Sequence, residues 1–454
     1  MNLADKKIVV VGLGRTGLAL ARFLTNAGAA VTVTDSANAA ALGNPLQIIH
    51  ELGITAEIGQ HRADTFERAD LIVISPGVAH TIEPIIKAQK RGIPVIGEIE
   101  LASRFIDKPI VAVTGTNGKT TTTELIGAML KSSGHSVFVG GNIGNPLIEY
   151  VKDNASADVI VAEISSFQLD TIKYFRPKVS VLLNISADHL DRYPDMQAYI
   201  QSKGRIFENQ QAEDMAVLNG SDTRVRSLAA ALTCKKLIYP TLLENEAGAK
   251  LKNGQIILKI KDDKRLNSQI CTLNTNKAGF WGRHNMENAC AATLAALAAG
   301  ATVKGVQTAL DRFKGSAHRI ESIATIDNVQ YYNDSKATNV DAVARALECF
   351  SQPVVLIMGG RDKGSDFAAL KAIIQKHVKT LIVMGEAADR IRAALGQATS
   401  TTMAASMKDA VARARRAAEP AEVVLLSPGC ASFDSYNNYA QRGDDFRQEV
   451  TALK

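Results

Sequence analysis

Residues 109–134 read PIVAVTGTNGKTTTTELIGAMLKSSG, an apolar run that ends in a glycine loop and opens into a helix-length segment. Gly115-x-x-Gly118-Lys119-Thr120 offers backbone N–H groups and a helix N-terminus to phosphate oxygens. Lys119 is then the cation for the β- and γ-phosphates of ATP, and the Thr120 hydroxyl is a ligand for Mg²⁺. The loop is shorter than the common phosphate loop, because Val113 stands where the first glycine would be. A plain glycine-rich turn explains the loop but leaves the Lys-Thr pair without a task. A strand that feeds such a loop belongs in a parallel, doubly wound sheet, so the fold class is α/β.

Towards the N-terminus, residues 6–35 read KKIVVVGLGRTGLALARFLTNAGAAVTVTD. Gly12-x-Gly14-x-x-Gly17 follows an apolar strand, and a second strand ends on Asp35, which is the dinucleotide fingerprint. Strands are expected at 7–11, 30–34, 71–74 and 94–96, with helices at 16–27, 45–52 and 82–91. That is too little for a six-stranded dinucleotide domain, so the block is read as holding one nucleotide. Taken alone, the fingerprint keeps an NAD-dependent oxidoreductase in play.

Beyond residue 134, strands are expected at 136–139, 158–162, 179–183, 215–218 and 236–239. Residues 244–278 suit a peripheral hairpin, and helices follow at 285–299 and 302–313. Glu163 ends a buried run in ADVIVAEISSFQLD. Such a carboxylate either holds the nucleotide's magnesium or is solvated at a strand end. His189, just past another strand, is either a ligand or a capping histidine. From residue 316, strands at 320–326, 329–332, 353–358, 380–384 and 422–426 alternate with helices, one near 339–349. Three domains in series are expected: an N-terminal Rossmann-like nucleotide domain (1–107), a central P-loop-type ATPase domain (108–315) and a C-terminal doubly wound Rossmann-like domain (316–454).

Composition narrows the function classes. The 454 residues are 46% hydrophobic and 22% charged, with a net charge of +6 spread along the chain. A nucleic-acid binder would concentrate that charge. No apolar run reaches the length of a membrane span, and no signal core follows the N-terminus. The five cysteines form no CxxC pair and no metal spacing, and such an odd, scattered set without a signal sequence reads as reduced thiols in a cytoplasm.

Seven motifs together, GTNGKTTT, AEISSFQLD, NISADHLDRY, YIQSKGRIF, RHNMENACAA, AHRIE and NDSKATN, resemble the ATP-dependent Mur ligases of peptidoglycan precursor synthesis. The resemblance runs from about residue 8 to 446, and NDSKATN is its discriminating piece. It implies that D-glutamate is joined to UDP-N-acetylmuramoyl-L-alanine through an acyl phosphate; a sibling reaction with another amino acid is the alternative. It implies ATP and two Mg²⁺ ions, a monomer, and no nucleic acid or membrane as partner.

The resemblance also distributes roles. Gly14, Arg15, Thr16 and Asp35, with Ser75, Pro76 and Gly77 of SPGV, are expected around the uridine diphosphate. Gly115, Thr116, Asn117, Gly118, Lys119, Thr120 and Thr121 are expected at the ATP phosphates. Thr120 and Glu163 map onto one Mg²⁺ site; His189 and Lys203 map onto the second, where the family's lysine is carbamylated. Asn142 resembles the asparagine near the reacting phosphate and counts among the UDP-sugar contacts. Asn285 and Asn288 are expected near adenine, Arg319 at the ATP phosphates and Asp334 at the ribose. Lys336, Thr338, Lys363, Ser432 and Phe433 match the D-glutamate site. Read from its neighbours alone, Lys203 is a helix-surface lysine. A hinge is expected near residues 314–316.

Overall fold

A computed structural model describes residues 1–188, 192–240, 246–259, 271–275 and 282–453. The first sheet holds β1 (Lys7–Val11), β2 (Ala30–Asp35), β3 (Thr55–Ile58), β4 (Leu71–Ile74) and β5 (Val95–Gly97). Its order is β3-β2-β1-β4-β5, and every pairing is parallel. Val9, Val11, Ile72 and Ile74 pack with Phe66, Ile85 and Ala88 on one face. The alternate residues Ile8 and Val10 are equally buried, so both faces are covered, as a parallel sheet requires. β3 was not expected. Its four residues, TAEI, are half-buried to exposed and lack the apolar run that marks the others.

The second sheet contains β6 (Ile110–Thr114), β7 (Val137–Gly141), β8 (Val159–Glu163), β9 (Val179–Leu182), β10 (Met215–Asn219), β11 (Lys235–Tyr239), β12 (Gly248–Lys252), β13 (Gln255–Lys259) and β14 (Cys271–Asn274). In the order β14-β13-β12-β11-β10-β9-β6-β8-β7, β6 lies between β9 and β8. The strand ahead of the phosphate loop is therefore central. β12 and β13 do form a hairpin, turning at Asn253-Gly254 with both residues at positive φ. With β14 it forms the outer edge of the sheet, joined to β11 where Gly248 pairs with Ile238. A Cβ on Gly248 would lie 1.9 Å from the Ile238 carbonyl oxygen, so only glycine admits that junction.

The third sheet comprises β15 (Glu321–Ile326), β16 (Val329–Asn333), β17 (Val354–Gly359), β18 (Val378–Met384), β19 (Ser400–Met403) and β20 (Val423–Leu426). Its order is β15-β16-β20-β17-β18-β19, so the last strand inserts between β16 and β17. Leu356, Leu381 and Leu425 face one core, and Val355, Ile382 and Val424 face the other. β19, sequence STTM, also escaped expectation, being a polar edge strand.

Two compact units result. One takes the described residues of Met1–Ile185, Gln197–Asn276 and Asn288–Asp311; the other takes those of Ser186–Met196, Lys277–Glu287 and Arg312–Lys454. Among the described residues, no helix is long and apolar enough to cross a membrane, and no disulfide joins any of the five cysteines.

Candidate active site

The loop after β6 is pressed against the end of β9. Gly115 has φ +151°, and a Cβ there would sit 2.9 Å from the Leu183 Cβ. Asn184 clasps the loop: its Oδ1 accepts the Asn117 N–H at 2.8 Å, and its Nδ2 donates to the Asn117 carbonyl at 3.0 Å. Asn288 backs onto Gly118 so closely that a Cβ would come within 2.4 Å of its Oδ1. The helix Lys119–Ser132 starts here. Lys119 curls back, its Nζ donating to the Gly115 and Thr116 carbonyls at 2.9 Å each.

Glu163 terminates β8 beside this loop and is only 2% exposed, so the solvated strand-end reading does not hold. Its two carboxylate oxygens accept from Thr120 Oγ1 and Asn142 Nδ2, both at 2.8 Å. The carboxylate of Glu163 and the Thr120 hydroxyl beside it are hard oxygen donors of the kind Mg²⁺ takes, and the Asn142 amide holds the carboxylate from its other side. Among the described residues no group of three or more His, Cys, Asp or Glu could hold a metal.

Lys203, on the helix Met196–Gly204, is not on the surface. It is 2% exposed, its Nζ donates to the Gly115 carbonyl at 3.0 Å, and it lies 4.6 Å from the centre of the Tyr199 ring. The Tyr199 hydroxyl is 3.2 Å from Thr116 Oγ1. Two lysines therefore converge on one loop carbonyl. His189 lies outside the described residues.

In the first sheet, the loop after β1 meets the loop after β4, where parallel sheets of this order bind ligands. The Ser75 hydroxyl donates to the Gly12 carbonyl at 2.9 Å. A Cβ on Gly17 would stand 1.8 Å from that carbonyl oxygen, which explains the third glycine of the fingerprint. Asp35 accepts the N–H groups of Leu13 (2.7 Å) and Ala37 (2.8 Å), so it braces the loop from the neighbouring strand. Arg15 reaches Asn145; Thr16 and Pro76 are half-buried and Gly77 is exposed.

In the other unit, Asp334 follows β16 and is 7% exposed. Burial pushes its carboxyl up to about 7, against the Ser427 hydroxyl bond and the nearby Arg319 guanidinium. Arg319 is bracketed by His318 and Ile320, both at positive φ. Lys336 Nζ sits 3.7 Å from the centre of the Tyr439 ring. The loops after β17 and β20 are bonded to each other through the Arg361 and Ala431 backbones, at 2.8 and 3.0 Å. The carboxyl ends of three adjacent parallel strands, β16, β20 and β17, thus bring Asp334, Lys336, Thr338, Lys363 and Ser432 to one edge of the sheet. Phe433 is 60% exposed there, and Asn285 is half-buried.

Sequence reading missed the residue that ties this edge together. Arg442 is 3% exposed, and its guanidinium donates to the carbonyls of Ser335, Gly359, Cys430 and Ala431 and to the Ser335 hydroxyl, at 2.8–3.3 Å. Burial lowers it to about 10. The available signal was Gly443, a mid-helix glycine whose Cβ would fall 2.2 Å from His318 Nδ1. His284 was also passed over; burial, with Arg345 and Arg319 nearby, lowers it to about 4.

The sequence matches the Mur ligase MurD-like N-terminal domain over residues 6–97, the Mur ligase middle domain over 113–296 and the Mur ligase glutamate ligase domain over 318–430. It is 52% identical over 453 residues to the UDP-N-acetylmuramoylalanine–D-glutamate ligase of Desulfatibacillum aliphaticivorans, covering 100% of both chains. It is 51% identical over 450 residues to the enzyme of the same name from Desulfosudis oleivorans, covering 99% of this chain and 97% of that one. Among solved structures it resembles the MurF ligase of Thermotoga maritima in complex with ADP, at 16% identity and a TM-score of 0.60, covering 99% of this chain and 96% of the other. That likeness concerns the fold alone. With matches that cover all three sheets and relatives that match from end to end, the chain belongs to the Mur ligase family.

Proposed function

We propose that the protein joins D-glutamate to UDP-N-acetylmuramoyl-L-alanine, using ATP, in peptidoglycan precursor synthesis. The observation that carries this reading is Glu163, buried between Thr120 and Asn142 beside a loop on which Lys119 and Lys203 converge. A carboxylate is a poor electrophile. Transfer of the γ-phosphoryl group to the L-alanyl carboxylate makes one of its oxygens a leaving group. The D-glutamate amine, having lost a proton, then attacks the carbonyl carbon and inorganic phosphate departs.

The chain's own residues mostly position groups and neutralise charge. Lys119 turns from its loop carbonyls to the phosphoryl oxygens, and the loop N–H groups hold the remaining phosphates. Asn142 faces the reacting phosphate. One Mg²⁺ would rest on Thr120 and Glu163, and a second on His189 and a carbamylated Lys203, where they would offset the charge of the transferring group. Gly14, Arg15, Thr16 and Asp35 hold the uridine diphosphate, with Ser75, Pro76 and Gly77 completing that pocket. Asn285 and Asn288 lie near adenine, Arg319 reaches the phosphates and Asp334 takes the ribose. Lys363, Lys336, Thr338, Ser432 and Phe433 receive D-glutamate, whose two carboxylates need a cation and hydroxyl or backbone donors. The reaction belongs in the cytoplasm, and the working unit is a monomer.

The test is phosphate release with each component omitted in turn and with a panel of amino acids. Release should require ATP, Mg²⁺, UDP-N-acetylmuramoyl-L-alanine and D-glutamate together. A different preferred amino acid would make the protein a sibling ligase. Tight NADH binding with no phosphate release would return the oxidoreductase reading.

A further inference from the structure

The first unit contains a cavity of about 460 Å³ at the amino ends of β1, β4 and β5, bounded on its other side by residues 170–174. That is far larger than the voids of a close-packed interior and falls within the range of ligand pockets. It lies at the strand ends opposite to those that carry the Gly12 and Gly115 loops, so neither nucleotide loop lines it.

Its chemistry is lopsided. The floor is apolar, built from Ile8, Leu71, Ile96 and Ile172. At one end the Tyr174 ring is 62% exposed, with the Arg104 guanidinium 5.0 Å and the Lys173 ammonium 5.4 Å from its centre. Lys6 adds a third cation to the lining. Of the two acids in the lining, Asp70 accepts the Lys7 N–H at 2.8 Å, and Asp170 stands 4.0 Å from His80.

The cationic end is also pre-formed. Glu100, fully buried, accepts the backbone N–H groups of Lys173, Tyr174 and Phe175 at 2.8–2.9 Å and the Arg104 Nε at 2.9 Å. One carboxylate thereby fixes both the guanidinium plane and the backbone that carries the tyrosine, so little ordering is left for a ligand to impose. Val95 supplies backbone groups as well. Ile72 donates to the Pro94 carbonyl, so alternation turns the Val95 N–H and C=O away from β4.

We propose that this cavity is a second ligand site, separate from the reaction centre, for a planar aromatic carboxylate. The ring lies on the aliphatic floor and against the Arg104 plane, and the carboxylate meets Lys173 and Lys6.

Isothermal titration of the full chain with 2-naphthoate tests it. Saturable one-to-one binding is expected below about 1 mM, undisturbed by saturating UDP and ADP. Tyr174→Ala and Lys173→Glu alter exposed side chains and should each weaken binding about tenfold, as should replacing the probe by neutral 2-naphthamide. Absence of saturable binding to the native chain would overturn the assignment. So would displacement by UDP or ADP, equal affinity for the amide, or unchanged affinity in both variants.

Discussion

Lys203 and Glu163 are both ionisable side chains only 2% exposed, and each depends on a specific neighbour. A buried charge without compensation is costly, so each position is chemically constrained. For Lys203 the proposed role is sharper than charge. An ammonium beside a second Mg²⁺ would repel it, whereas a carbamate is an oxygen ligand of the kind Mg²⁺ takes. Lys203→Arg keeps the positive charge but cannot be carbamylated, and turnover should fall about 100-fold or more. Lys203→Ala should lose similar activity and recover part of it when acetate is supplied to the emptied site. Near-native turnover in Lys203→Arg, with no acetate effect in Lys203→Ala, sinks the carbamate. At this scale the motif GTNGKT was legible because its chemistry is local. The role of Asn184 was not, although it opens the motif NISADHLDRY: its clasp on Asn117 spans 67 residues, and no local spacing shows that partner.

Among the elements, the short helix Glu98–Ser103 was absent from the sequence reading, yet it ties the first sheet to the second. Its acids look like surface residues. In the fold Glu98 is 1% exposed, accepting the Ile148 N–H at 2.7 Å, while Glu100 takes the 173–175 backbone. Burial pushes Glu98 up to about 7 from 4.5, against the Ile148 and Leu147 N–H bonds. The folded chain therefore keeps a proton that the unfolded chain has already lost between those values. Its contribution is full below pH 4.5 and lost as pH rises through about 7. Glu98→Gln stays neutral in both states. The stability of the native chain relative to this variant should thus fall by roughly 3 kcal/mol between pH 4 and 8, read from urea titrations. Asp334 contributes with the same sign in both proteins and cancels in the difference. A pH-independent difference would contradict the burial of an ionisable Glu98.

For the whole molecule, three parallel-rich sheets each gather candidate residues at carboxyl ends, and the chain divides into two compact units. UDP should slow amide exchange after β1 and β4, around residues 12–16 and 75–78, and leave residues 334–338 and 428–433 unchanged. At a hundredfold excess over Kd the local stabilisation is about 2.7 kcal/mol, well within mass-spectrometric reach. Protection confined to 428–433 would misplace the UDP site. The strands, the two glycine loops and the motifs were readable in the chain because they rest on spacings of two to four residues and on short loops. β3, β19 and the helix at 98–103 escaped, since polar edges and buried acids give no periodic signal. Strand order, the insertion of β20 between β16 and β17, and the burial of Lys203 and Arg442 belong to the tertiary structure. Lys203 meets Gly115 across 88 positions and Arg442 meets Ser335 across 107. No local pattern encodes such partners; they are set only when distant segments close on one another and the low-dielectric interior makes each polar group find its match.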